Sequence, residues 1–468
     1  MPFTSNIFLY AFLPAVLALF FVLARLGQKA GLAIWFLILS SFVFYGYKDP
    51  TNITLLMSSI FGNFALAYLI RNRPQKTAIF TLGVIFNLGI LGYFKYTNFF
   101  MENFSLVSGN GFEPLAIALP LAISFYTFQQ IAFLADTRTK EVGAVSFRDY
   151  MLFVTFFPQL IIGPIVHHKE MMPQFIKPDF GRFKWSNFQT GFFYLTMGVV
   201  KKVFLSDICA GVVDSVYGDV AAGTSVGFAD AWLAAFAFSL QIYFDFSGYT
   251  DMAVGIAKMF GIDLPFNFNS PYKARNVAEF WRRWHMTLSR WLRDYLYIPL
   301  GGNHCGFKRS AINAVIVFLL GGLWHGAAWT FVVWGAMQGI GVVWTHLMKE
   351  LKISLPKIIG VALTFLFITL SWVLFRAQGM DDALNLYNVM SGAQGFDLSM
   401  RESVNLPVML IGAAMIFALP NSHSIVPWLQ ERAAKLPKAP VIVVMLVTWL
   451  ALAAFDLDSS AEFIYFDF

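Results

Sequence analysis

The sequence has few charged residues for its length. Asp, Glu, Lys and Arg make up 13% of its 468 residues, whereas a soluble domain averages about 25%. So few charges cannot cover a water-facing surface, which excludes an ordinary soluble protein. The chain has only two cysteines, Cys209 and Cys305, and this excludes a secreted scaffold held by disulfides.

Apolar residues are abundant instead. Hydrophobic side chains make up 58% of the chain, with 52 Phe and 13 Trp, and the mean hydropathy is +0.63. One soluble core cannot bury so much apolar area, so the composition predicts a polytopic membrane protein. Apolar windows of about 17–25 residues recur along the chain and predict an all-α fold with roughly 11–13 membrane helices, plus amphipathic or re-entrant helices. Three of these windows lie near 115–134, 149–166 and 188–205.

The loops between the windows indicate an orientation in the membrane. Basic residues follow the first, third and fifth windows, at Arg25, Arg71 and Arg138, and the loops between them are poor in basic residues. By the positive-inside rule these three loops face the cytoplasm. Near the end, Arg432, Lys435 and Lys438 precede the last window, which puts residues 456–468 on the outer side. The charges around 167–184 leave the side of that segment open.

Residues 265–309 interrupt the pattern of membrane windows. Between 271 and 309 there are eight Lys or Arg and two Asp or Glu, so this stretch carries the whole net charge of +6. Apolar periodicity predicts a helix over 277–297. The side opposite its apolar stripe carries Arg282, His285, Ser289 and Arg293. The helix either lies on the membrane with a solvated basic face or lines a cytoplasmic funnel for an anionic ligand. We expect no nucleic-acid partner, because basic residues near a bilayer account for the charge.

His325 and Asp245 are ionisable residues inside apolar windows. An imidazole in a membrane interior is costly unless it faces a cavity or a polar partner, so His325 is a functional candidate. The alternative is a structural histidine that bonds to a backbone carbonyl. Asp245 either pairs structurally with a basic residue, which we favour, or orients a catalytic group. The histidines lack the spacing of a zinc site, and we expect no metal.

Two blocks of the sequence are similar to a known family. They run from Arg282 to Asn303 and from Gly322 to Trp329. They resemble the membrane-bound O-acyltransferase (MBOAT) family, and within it the bacterial branch that O-acetylates alginate. Weaker matches lie at Phe3–Leu9, Pro120–Gln129, Gly163–Ile165 and Tyr243–Met252. The chain departs from the family pattern at Val166, His167 and His168, where a basic or aromatic residue is expected after Gly-Pro-Ile.

The resemblance implies a fold and a reaction. The fold is one membrane domain over 1–468 around a central tunnel, with the basic insertion at 265–309 and an aromatic segment at 456–468. The reaction is O-acetyl transfer from cytoplasmic acetyl-CoA to an exported, alginate-like polysaccharide, by way of an extracytoplasmic partner acetyltransferase. The expected location of the protein is the bacterial inner membrane, and no permanently bound cofactor is expected. Acylation of peptidoglycan, cellulose or teichoic acid is an alternative within this chemistry, and a polytopic transporter is the alternative from another class.

The resemblance also assigns roles to residues. His325 matches a near-invariant histidine of the family, and His285 matches a second, more variable one. A buried imidazole stays neutral and can deprotonate a hydroxyl, so we expect His325 to be the base and His285 to orient the donor or assist proton transfer. The candidates for binding the donor are Arg282, Arg283, Ser289 and Trp324.

The last residues, 461–468, are rich in aromatic side chains. They are typical of an anchor at the membrane interface. They also resemble the C-terminal motif of a small subunit that works with teichoic-acid D-alanylation proteins of the MBOAT family, which implies that Tyr465 carries the acyl group transiently. A phenol suits this role, since its ester is an activated acyl donor and a neighbouring imidazole can take its proton.

Overall fold

A computed structural model describes residues 1–26, 31–109, 111, 113–401, 404–455, 457 and 463–466. All regular structure in these ranges is helical. The first ten α-helices are α1 (Leu13–Leu26), α2 (Gly31–Tyr45), α3 (Thr51–Asn72), α4 (Lys76–Leu91), α5 (Thr97–Ser108), α6 (Ile123–Arg138), α7 (Phe147–Thr155), α8 (Phe157–Leu160), α9 (His168–Phe175) and α10 (Trp185–Val200). The next are α11 (Asp207–Ala221), α12 (Phe228–Met259), α13 (Val277–Trp281), α14 (Met286–Leu292), α15 (Phe307–His325), α16 (Trp329–Glu350), α17 (Lys357–Arg376), α18 (Met380–Met390), α19 (Leu406–Ala418), α20 (Ser422–Ala434) and α21 (Lys438–Ala453). Short π-helices lie at Phe8–Phe12, Gly92–Tyr96, Lys201–Ser206 and Arg293–Tyr297, and 3-10 turns at Pro271–Lys273 and Ile464–Phe466.

Several of these helices can cross a membrane by length and composition. The described residues contain six such stretches: Phe8–Leu26, Thr51–Asn72, Lys76–Ser108, Phe307–His325, Trp329–Glu350 and Lys357–Arg376. The broken pair of α19 and α20 would make a seventh. The prediction of an all-α polytopic membrane protein is confirmed, and this count is lower than the 11–13 spans expected from apolar windows.

Prolines account for part of this difference. The window at 149–166 contains Pro158 and Pro164, and there the structure has only the short helices α7 and α8. In the window at 115–134, α6 begins only after Pro120. Proline lacks an amide hydrogen and its ring disfavours a helix before it, so an apolar run can be long without being one helix.

The described chain forms two compact units, each discontinuous in sequence. The first consists of Met1–Thr196, Tyr249–Phe266 and Val426–Ser459. The second consists of Met197–Gly248, Asn267–Ile425 and Ser460–Phe468. The prediction of a single domain over 1–468 stays a prediction.

Glycines bring α15 and α16 into backbone contact in the second unit. A Cβ atom at Gly322 would lie 2.2 Å from the carbonyl oxygen of Phe331, and one at Gly335 would lie 2.4 Å from that of Phe318. Any other residue at these positions would therefore push the two helices apart. The close packing fixes the end of α15, which is His325, against side chains of α16.

Candidate active site

His325 lies in an aromatic cluster of the second unit. Its side chain is buried, and its ring centroid is 5.0 Å from that of Trp324, 5.1 Å from that of Trp334 and 5.3 Å from that of Phe375. The helix ends here because the next residue, Gly326, is extended. The aromatic rings keep bulk water away from the imidazole.

His285 lies at a break in the predicted amphipathic helix. The chain forms α13, then a turn, then α14 and a π-helix from Arg293, so the prediction of one helix over 277–297 is wrong. At the break His285 has φ 42° and ψ 53°, a left-handed conformation that costs a non-glycine residue about 1–3 kcal/mol. The side chain is 0% exposed. His285 therefore does not lie on a solvated basic face, which corrects that reading, and the funnel for an anionic ligand stays a prediction.

Asn267 stabilises this break. Its backbone carbonyl accepts a hydrogen bond from the Met286 amide at 3.0 Å, and its side-chain Oδ1 accepts one from the Thr287 hydroxyl at 2.7 Å. The Asn269 amide donates to the Arg283 carbonyl at 2.9 Å. The bonds to the Met286 amide and the Arg283 carbonyl satisfy backbone groups at the ends of α13 and α14 that a continuous helix would pair internally.

The ring of His285 has no hydrogen-bond partner within the ranges that the structure describes, at either nitrogen. Burial lowers the pKa of His285 to about 3, so the ring is neutral. It stands edge-on to Phe246, with 4.8 Å between ring centroids, and lies 6.3 Å from Trp324. A buried polar side chain in a strained conformation with unused hydrogen-bonding capacity is typical of a reactive site.

Tyr465 brings the C-terminal segment to the same cluster. Its ring centroid is 5.6 Å from that of His325 and 4.7 Å from that of Phe246. Burial, and secondarily the charge of Asp245, raise the pKa of the Tyr465 phenol, so the hydroxyl keeps its proton until a base removes it. Of the predicted segment 456–468, residues 456, 458–462, 467 and 468 lie outside the described residues.

Asp245 connects a buried ion pair to this segment. One carboxylate oxygen lies 3.0 Å from Lys202 Nζ, and the other accepts a hydrogen bond from the Ile464 amide at 2.8 Å. Lys202 also donates to Asp207 at 2.7 Å. Asp245 thus pairs with a basic residue, Lys202, as expected. It also accepts a hydrogen bond from Ile464, the residue that precedes Tyr465.

The four predicted donor-binding residues are spread over different environments. Trp324 contacts both His285 and His325. Arg282 is exposed. Arg283 donates to Glu279 Oε1 at 2.8 Å, and the Ser289 hydroxyl donates to the Trp284 carbonyl at 3.4 Å. Trp324 is the member of this group whose side chain contacts both histidines, and the Ser289 backbone amide donates to the His285 carbonyl at 3.0 Å.

Sequence reasoning missed Lys202 and Phe246. Lys202 lies in the apolar window at 188–205, so the signal that pointed to His325 and Asp245, an ionisable residue among apolar ones, was present. Phe246 touches both His285 and Tyr465. It carries no such signal, since it is one of 52 phenylalanines.

Comparisons with known proteins give a consistent result. Residues 75–380 match the model of the MBOAT, membrane-bound O-acyltransferase, family. The chain is 42% identical over 428 residues to the peptidoglycan O-acetyltransferase of Helicobacter pylori, a match that covers 85% of this chain and 81% of the relative. It is 35% identical over 429 residues to the probable alginate O-acetylase AlgI of Pseudomonas aeruginosa, covering 89% and 80%. It is 26% identical over 283 residues to the teichoic acid D-alanyltransferase of Bacillus subtilis, covering 55% and 69%.

Proposed function

Because the chain belongs to the membrane-bound O-acyltransferase family and is an acyltransferase, we propose that it moves acetyl groups from cytoplasmic acetyl-CoA to an exported polysaccharide across the bacterial inner membrane. One observation carries this proposal: His285, His325 and Tyr465 share one buried aromatic cluster. Because the chain belongs to this family of acyltransferases, we no longer consider the alternative of a polytopic transporter.

His325 serves as the base in the first transfer. It takes the proton of the Tyr465 hydroxyl while the phenol oxygen attacks the carbonyl carbon of the thioester. A carbon–oxygen bond forms, the carbon–sulfur bond breaks, and the proton passes to the leaving thiolate of coenzyme A. His285 orients the donor, because its neutral ring keeps one N–H that can donate to the carbonyl oxygen as negative charge develops there.

Tyr465 then holds the acetyl group as an aryl ester, which is a more activated donor than an alkyl ester. A polysaccharide hydroxyl attacks this ester with the help of an extracytoplasmic partner acetyltransferase, and the phenol recovers the hydroxyl proton. Asp245 and Lys202 are positioning residues in this scheme. Their ion pair holds the backbone of Ile464 and so sets where the phenol stands relative to His325.

The basic turn before His285 is proposed to meet coenzyme A. Arg282 is exposed and Arg283 is half-buried, so their guanidinium groups suit phosphates that stay outside the aromatic cluster. Trp324 and Ser289 would line the path between these phosphates and the histidines.

The identity of the acceptor rests on the relatives. The 42% identical relative is named for peptidoglycan and the 35% identical one for alginate, so we propose peptidoglycan as the first acceptor to test and an alginate-like polysaccharide as the second. Cellulose and teichoic acid are further alternatives. Acetyl content of each polymer, measured in cells with and without this chain, distinguishes them.

The test uses the detergent-solubilised full chain and acetyl-CoA labelled in the acetyl group. We expect thioester cleavage with the label on the C-terminal peptide by intact-mass and peptide analysis. Tyr465→Phe should bind acetyl-CoA and lose this label, whereas Tyr387→Phe, at another tyrosine of the second unit, should keep it. Label on the wild-type chain at another residue would contradict the relay, and the absence of thioester cleavage would contradict the donor.

A further inference from the structure

An apolar cavity lies between three helices of the first unit, α1, α10 and α21. Its volume is about 400 Å³, within the range of about 300–1,000 Å³ that is typical of ligand pockets. Leu17, Leu195 and Met445 line it, and its other lining residues are also apolar. Apart from the indole N–H groups of Trp185 and Trp449, the lining side chains carry no hydrogen-bonding atom, so the cavity suits a hydrocarbon chain.

Aromatic residues line the cavity both at the start of α10, with Trp185 and Phe188, and beside Trp449 of α21. The Tyr10 hydroxyl, before α1, donates to the Trp449 carbonyl of α21 at 3.2 Å, and the Trp449 ring lies 5.9 Å from that of Phe192 on α10. Each of the three helices has one end that is farther from the contact between Tyr10 and Trp449. These are the end of α1, the start of α10 and the start of α21.

Three cations lie near the helix ends that are away from Tyr10. Phe183 packs on Phe21 of α1 with 5.3 Å between ring centroids, and Arg182 and Arg25 lie just beyond this contact in sequence. Lys438 begins α21, eleven residues before Trp449 and thus about 16 Å along that helix at 1.5 Å per residue. Arg25, Arg182 and Lys438 have no salt bridge to a described residue. Lys184, in the same region, is paired with Asp179.

We propose that this cavity binds an acyl chain of an anionic phospholipid from the cytoplasmic leaflet, with the phosphate at Arg25, Arg182 and Lys438. The two ends of the cavity argue for this occupant. An apolar chain fits the lining, and basic residues at the membrane surface attract anionic head groups. The positive-inside rule puts Arg25 at the cytoplasmic face, and the Phe183 contact puts the loop at 177–184, whose side the sequence left open, at the same end.

The test measures lipid binding to the full chain in detergent. Phosphatidylglycerol and phosphatidylcholine with the same chains are titrated separately, with native mass spectrometry and melting temperature as readouts, because a ligand that binds the folded state raises Tm. We expect phosphatidylglycerol to bind at least tenfold more tightly. Equal binding of the two lipids would overturn the assignment of the phosphate to the basic end.

Matched variants test the cavity and its basic end separately. Leu17→Trp fills the cavity and should weaken phosphatidylglycerol binding at least tenfold, whereas Leu19→Trp, on the exposed side of the same helix, should not. Met445→Trp replaces Leu17→Trp if that chain does not fold. Arg182→Glu should remove the preference for the anionic lipid, and Arg73→Glu, an exposed cation elsewhere in the first unit, should keep it. Unchanged binding to a folded chain with a filled cavity would overturn the proposal, and thioester cleavage shows that each variant is folded.

Discussion

The two histidines of the cluster are held by different kinds of backbone. His325 ends the regular helix α15, which glycine contacts fix against α16. His285 is a single left-handed residue between two short helices, and the bonds of Asn267 support it. A substitution at 325 therefore tests the imidazole alone. A substitution at 285 tests the imidazole and the turn together, unless the new residue tolerates a positive φ.

Replacing His325 should have the largest effect. We expect His325→Gln to lower acetyl transfer by about 10²–10⁴-fold, the usual contribution of a general base, and to leave Tm nearly unchanged because the helix pair holds the backbone. His346→Gln, on α16, is the control and should retain activity. Transfer within tenfold of wild type in the folded His325→Gln chain would show that another group takes the proton.

The next effect concerns the carboxylate that holds the C-terminal segment. Asp245→Asn weakens a charge-assisted hydrogen bond to the Ile464 amide, and such bonds are about twice as strong as neutral ones. We expect acetylation of Tyr465 to fall by roughly 10-fold or more, since about 1.4 kcal/mol corresponds to tenfold. Binding of acetyl-CoA should be retained in the same sample.

Asp207→Asn, the other carboxylate on Lys202, is the matched control for this prediction. It should cause a smaller loss than Asp245→Asn. Equal losses would mean that the charge of Lys202, and not the position of the segment, limits transfer.

Burial of His285 predicts that the stability of the folded chain depends on pH, and we expect His325→Gln to show the same dependence. The pKa of His285 is lowered in the folded chain to about 3, so this residue contributes stability above pH 6.5 that is lost as the pH falls below it. Wild-type stability should therefore fall by about 1.4 kcal/mol for each pH unit below this point on account of His285. In His285→Asn, whose side chain tolerates positive φ, Tm should fall less steeply between pH 6.5 and 4.5. Parallel Tm curves for the two chains would contradict a neutral, buried His285.

The smallest effect concerns the cations beside that turn. We expect Arg282→Glu and Arg283→Glu to raise KM for acetyl-CoA by up to about tenfold with kcat nearly constant, because phosphate contacts remote from the thioester act as uniform binding. Arg293→Glu, which removes an exposed arginine paired with Asp294, is the control. A fall in kcat without a rise in KM would mean that these arginines support the turn and do not bind the donor.

Much of the fold was predictable because it depends on local composition. Apolar windows and scarce charges predicted an all-α membrane protein, and the family model and the helical structure confirm it. The described stretches long and apolar enough to span are fewer than the predicted spans, since hydropathy does not register where Pro120, Pro158 and Pro164 interrupt an apolar run.

The arrangement around the histidines was less predictable, because it depends on contacts between distant residues. Helical periodicity predicted that His285 lies on a basic face. A periodicity pattern does not show that Asn267, distant in sequence, stabilises a left-handed residue at this position. The bond between Asp245 and Ile464 joins residues 219 positions apart. Neither composition nor spacing indicates such a pair, whereas an ionisable residue in an apolar window did indicate Asp245 and His325.

Tyr465 belongs to the same polypeptide as the two histidines, and in the proposed relay this sets a stoichiometry. A reactant that the enzyme carries can be loaded once before it is discharged, so each chain stores a single acetyl group when no acceptor is present. Loading does not require a second protein molecule and is therefore independent of protein concentration. Acetyl-CoA beyond one equivalent per chain therefore cannot add to the acetyl groups that the enzyme holds while no acceptor is present.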